Sequence, residues 1–138
     1  MKKLLQPLKN NSGDSNYISA ILAIFFILVV ILFFIKFAAV FKVNNDLSNA
    51  ADKLIRSAEL SGQTDLNAQA DMLRKETGLN FSLSWMGTNY IPGTNKVQLN
   101  SDIHLSLSTK YTIQLYKFPI YDVTLNVRRT GTSEIYYK

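Results

Sequence analysis

The 138-residue chain has no cysteine, which excludes disulfides, thiolate-bound zinc and cysteine nucleophiles. Histidine occurs once, as His104, so neither a histidine cluster nor a triad with a second base can be assembled. His104 alternates with Ile103 and Leu105, which predicts a structural place on the polar face of a strand. The 6 glycines are scattered singly, leaving no loop to cradle a phosphate. The 10 acidic residues form no Asp-x-Asp run and no calcium loop, and Asp52, Glu59 and Asp71 fall at helical surface spacing. The expectation is therefore a protein that is not an enzyme, with no catalytic residue, cofactor or metal site. Net charge is +5, yet Lys2, Lys3 and Lys9 all precede an apolar run, where basic residues orient a span rather than bind a partner. The remaining basic residues are mixed with acids, with no basic stripe interleaved by aromatics, so nucleic acid is not an expected partner.

What the chain does have is apolar length. Tyr17 to Ile35 carries Ser19 as its only strongly polar member, and as a helix it measures ~29 Å, close to the ~30 Å of a hydrocarbon core. Its Ile, Leu, Val and Phe residues together favour insertion by on the order of 6 kcal/mol. Lys36 stands at the far edge, where its side chain can snorkel to the headgroups. A cleaved secretory signal would have an apolar core of about 7 to 15 residues and a small-residue site in a polar context. Here the run is longer, and Ala38 and Ala39 are embedded in "KFAAVFK". The short basic N-terminus favours the cytoplasmic side, against the opposing votes of Lys42, Lys53 and Arg56.

Helical periodicity continues past the run through Val43, Leu47, Ala50, Leu54 and Ala58, widened by Ala51 and Ile55. No Pro or Gly interrupts Tyr17 to Leu60, which predicts one helix ~66 Å long. Asp52 is placed to pair with Arg56 at i, i+4. Glu59, three residues after Arg56, reads either as half of a surface ion pair worth under about 1 kcal/mol or as a tether from the helix to the sheet or to a neighbouring subunit. Gly62 ends the helix, and Thr64 or Asp65 is placed to cap a second, shorter one running to about Thr77, with Asp71 four before Lys75 and Gly78 as terminator.

From Asn80 the period becomes two. Phe81, Leu83 and Trp85 share a face, and Trp85 is expected to pack on the helix. Pro92 and Gly93 suit the centre of a type II turn. Val97 and Leu99, then Ile103 to Leu115 at odd positions, then Tyr121, Val123, Leu125 and Val127, predict strands of an antiparallel sheet covered by helix on one face. A break at Asn100 to Asp102, a bend near Thr109 and a turn at Tyr116 to Pro119 are expected, with Gly131 in a final bend. The fold class is α+β.

This plan resembles that of type IV pilins and pseudopilins. The closer resemblance is to TadE-like pseudopilins, and among them to a small Gram-positive family met beside mobile-element secretion genes. It is carried by "LSNAADKLIRSAELSG" (Leu47 to Gly62), "LRKETGLNFSLSW" (Leu73 to Trp85) and "GTSEIYYK" (Gly131 to Lys138). The resemblance implies a basic leader at 1–13, a transmembrane helix at 14–41 and an extracytoplasmic α+β domain at 42–138. It also implies cleavage by a prepilin-type peptidase between Gly13 and Asp14, in a segment whose turn formers suggest an extended conformation. Its implied partners are the lipid bilayer and other pilin-like or secretion-system subunits, with Arg56, Glu59 and Trp85 as assembly or packing candidates. One departure bears on assembly. Many pilins of this type carry Glu at the fifth residue after the cut, where this chain has Ile18. That favours a minor or initiating subunit over a bulk filament subunit. The alternative is a single-pass anchored protein that uses its outer sheet for interaction or adhesion.

Overall fold

The computed structural model describes residues 12–115 and 117–138. The N-terminal lysines Lys2, Lys3 and Lys9, and Tyr116 at the start of an expected turn, lie outside the described residues. Five elements follow in order: α1 (Ser12–Ser61), α2 (Asn67–Thr77), β1 (Phe81–Ser84), β2 (Asp102–Leu115) and β3 (Phe118–Thr132). They fall into two compact units, the first ending at Phe37 and the second running Ala38–Lys138.

The first unit is the apolar part of α1. Tyr17 to Ile35 is helical as expected, and helix also takes in Gly13 and Asp14, where an extended segment was expected. Phe25, Phe26, Phe33, Phe34 and their aliphatic neighbours are exposed, and none of the apolar window is buried. The helix is long and apolar enough to cross a membrane, and lipid is a solvent in which that exposure carries no penalty.

In the second unit the remainder of α1 turns from uniformly apolar to amphipathic. Leu47, Ala50, Ala51, Leu54 and Ala58 are buried in one cluster with Ala70 and Leu73 of α2 and with Phe81, Ile103, Leu105, Leu107 and Val127 of the sheet. Ala50, Ala51 and Ala58 keep that face of α1 low, while Leu47 and Leu54 fill the space between helix and sheet. The sheet is antiparallel in the order β1-β2-β3. Its odd-numbered β2 residues Ile103, Leu105, Leu107 and Thr109 are buried, as period-two alternation predicts.

Several local expectations are corrected. β2 runs unbroken through Thr109, with its irregularity between Ile113 and Gln114; continuous pairing with β3 removes the reason for an earlier bend. Val97 is buried but lies in no strand, held instead by its N–H donating to Gly62 O at 2.8 Å. Gly131 pairs with Ile103 inside β3 rather than sitting in a bend. α2 starts after Leu66 without a side-chain cap; the Asp65 carboxylate accepts from the Asn67 side chain instead, and Leu66 N–H donates to Thr64 O. The other end of α2 is as expected: Gly78 adopts φ 69° and its N–H donates to Arg74 O. Gly93 takes φ 74°, and Thr94 N–H donates to Ile91 O, which fits the type II turn placed on Pro92 and Gly93.

Candidate functional site

Glu59 lies where the end of α1 meets the end of β3. Its Oε2 accepts from Arg56 Nη1 at 3.0 Å and its Oε1 from the Thr132 N–H at 3.3 Å. Its backbone carbonyl accepts from the Glu134 N–H at 2.9 Å. Arg56 Nη1 also meets Glu134 Oε1 at 2.6 Å, so one guanidinium joins two carboxylates from opposite ends of the domain's sequence. The Arg56 pKa is raised above its ordinary value, first by the hydrogen bond to Glu59 and then by Glu134. Gly131 makes this arrangement possible: a Cβ there would lie 2.9 Å from both Cγ and Cδ of Glu59, closer than side chains pack. The tail after β3 completes the clasp. Ser133, buried, donates from Oγ to Val97 O at 2.9 Å, and Tyr137 Oη donates to Ser61 O at 2.6 Å. Tyr137 also exchanges backbone bonds with the Gln98 side chain, and Lys96 Nζ sits 4.7 Å from the centre of its ring. Gly62, at φ 60°, leaves room for that ring, since a Cβ there would lie 2.9 Å from Tyr137 Cε2.

Arg56 and Glu59 therefore stand together in the clasp. The i, i+4 pairing expected of Asp52 with Arg56 is replaced by Asp52 with Arg129 of β3, and that of Asp71 with Lys75 by Asp71 with Arg74. Arg56 is taken up by Glu59 and Glu134 instead, and for Asp71 a guanidinium three residues on replaces the ammonium of Lys75. Trp85 is apart from the clasp, just after β1, packed against the core cluster; its indole N–H is buried and finds no acceptor among the described residues. Gly13 and Asp14 occupy the first turn of α1. His104 is half-buried, with Nδ1 3.3 Å from Thr130 Oγ1, and its backbone is held by reciprocal bonds with Thr88 Oγ1. Among the described residues no group of three or more His, Asp or Glu could hold a metal. The sequence offers Gly131 only as a bend and does not single out Ser133, Glu134 or Tyr137: their stretch has no amphipathic period, although the quoted ending "GTSEIYYK" contains all four.

A family model described as a domain of unknown function (DUF4320) matches residues 22–138. The chain belongs to that family. The DUF4320 match begins inside the apolar part of α1 and takes in both partners of the clasp. No curated protein and no solved structure matches the chain.

Proposed function

We propose that this chain is a membrane-inserted, non-enzymatic structural subunit, pseudopilin-like and present in few copies, of a Tad or type IV pilus-like apparatus serving secretion or conjugation. The observation that carries the reading is the double use of α1. It is exposed and apolar over its first part, and from Val43 onward it is the central element of a small α+β core. A helix that serves as both span and domain spine suits a subunit that packs through its apolar part against other such helices. The resemblance to TadE-like pseudopilins of Gram-positive bacteria supports the same reading. On it the N-terminus is cytoplasmic, the sheet domain lies outside the cell membrane, a prepilin-type peptidase cuts between Gly13 and Asp14, and the finished subunit is open to extrusion to the surface.

Ile18, which disfavours a bulk filament subunit, is equally compatible with a second reading, a single-pass anchor whose outer sheet binds a partner or surface ligand. An apolar residue at that place supplies no carboxylate to neutralise a neighbour's amino terminus in a filament core. Intact mass spectrometry of membrane and sheared-surface fractions separates the two. Loss of the first 13 residues with recovery in sheared material is expected; a full-length chain confined to the membrane would replace the subunit reading with the anchor.

A further inference from the structure

The β2–β3 hairpin ends in an apolar tip that nothing in the chain's own core accounts for. Phe118 is 74 %, Ile120 62 % and Tyr121 67 % exposed. These residues follow one another closely enough to present apolar groups on both faces of the hairpin, whereas a strand bathed in water keeps one face polar. Lys117 directly precedes them, Asp122 directly follows, and Lys110 stands opposite Thr124 farther down the hairpin.

The direction of the hairpin follows from bonds within the second unit. Glu59 meets Thr132, and Asp52 meets Arg129. Moving toward the start of α1 therefore means moving along β3 toward Phe118, so the hairpin tip points to the Ala38 end of the unit. From Arg129 to Phe118 the strand covers about 36 Å, while from Asp52 to Ala38 the helix covers about 21 Å. The surplus absorbs a substantial tilt between the two axes. Ala38 is also where the chain leaves the apolar run. Lys36 to Phe41 spans about 8 Å of helix, comparable to the headgroup layer on one side of a bilayer, and Phe41 is exposed like the tip.

We propose that the hairpin tip is a second membrane contact, with Phe118, Ile120 and Tyr121 seated in the headgroup layer of the leaflet from which α1 emerges. The inference rests on the reading that α1 spans a bilayer. Aromatic and aliphatic groups beside lysines are the composition that partitions to this layer, with rings at headgroup depth and ammonium groups reaching outward. A second copy of the chain pairing through the tip is disfavoured by Pro119, which has no N–H to donate, and by the register irregularity at Ile113 and Gln114, both of which blunt an edge against strand addition.

The absence of cysteine makes the test direct. Full-length chain carrying single substitutions Ile120→Cys, Phe26→Cys or Met86→Cys is labelled with a nitroxide, reconstituted in anionic phospholipid vesicles, and its collision rates with oxygen and with a water-soluble nickel chelate are measured. Met86 is 86 % exposed and serves as the aqueous reference. The expected result is an oxygen-to-nickel ratio at Ile120 several-fold above that at Met86 and below that at Phe26. A ratio at Ile120 equal to that at Met86, with Phe26 in lipid, overturns the tip contact and leaves the span intact. Dipolar broadening at Ile120 that grows with protein-to-lipid ratio overturns it in favour of a second copy. An aqueous ratio at Phe26 removes the span and the tip contact together.

Discussion

Substituting Gly131→Ala isolates the clasp, because its whole effect passes through one side chain. Gly131 is not in a left-handed conformation, so the added methyl meets no backbone strain and acts only on Glu59, whose Cγ and Cδ it would approach to 2.9 Å. The Glu59 side chain is 20 % exposed, which gives it a way out, but swinging outward breaks its bond from the Thr132 N–H and its pairing with Arg56. The first loss costs about 1 kcal/mol and the second adds little, since Arg56 is well exposed. Loss of glycine's freedom in the unfolded chain returns roughly 0.4–1 kcal/mol, for a net destabilisation under about 1 kcal/mol. With Glu59→Ala already present the three nearest atoms the methyl would meet are gone, and Gly131→Ala becomes neutral or slightly stabilising, a coupling of roughly 1–2 kcal/mol between the two positions. Urea unfolding of the full chain in detergent micelles, followed by the fluorescence of Trp85, reads the four stabilities of the cycle. An equal cost of Gly131→Ala with and without the Glu59 carboxylate would refute the proposed mechanism.

Two further substitutions follow from the same geometry. Tyr137→Phe keeps the ring over Gly62 and removes the bond to Ser61 O together with the long one from Gln63 Nε2, so its expected cost is about 1 kcal/mol in the same titration; a cost beyond about 3 kcal/mol would mean that the ring itself had left. Asp52→Asn, at an exposed pair with Arg129, is expected to change stability by under about 1 kcal/mol, with the effect shrinking as salt is raised. An effect several-fold larger and indifferent to salt would show that this pair is shielded from solvent.

The parts of the fold that were legible in the sequence are those governed by a long period. The apolar run, the stripe from Val43 to Ala58 and the odd-numbered residues of β2 each repeat often enough to reveal which face they bury. Gly62, Gly78 and Gly93 were legible for a different reason: each adopts a positive φ that only a few residue types enter without penalty. What stayed hidden depended on distant partners. Whether Asp52 pairs with Arg56 or Arg129 turns on where β3 lies, and whether β2 bends at Thr109 turns on how far its neighbour follows it. Of the clasp, Arg56 and Glu59 stood out as neighbours on a helix, while Glu134 and Tyr137 did not, because a tail held by individual hydrogen bonds leaves no repeating pattern.

The bond from Tyr137 to Ser61 closes a loop of sequence separation 76, and this orders events during biosynthesis. The helix is made long before the residues that lock its far end, so the clasp cannot close until Tyr137 has been delivered. Until β2 and β3 arrive, Leu47 and Leu54 present a greasy seam with no mate. A chain ending at Gly131 would lack Ser133, Glu134 and Tyr137 at once, and the far end of the helix would lose every bond those three residues make to it and to Val97.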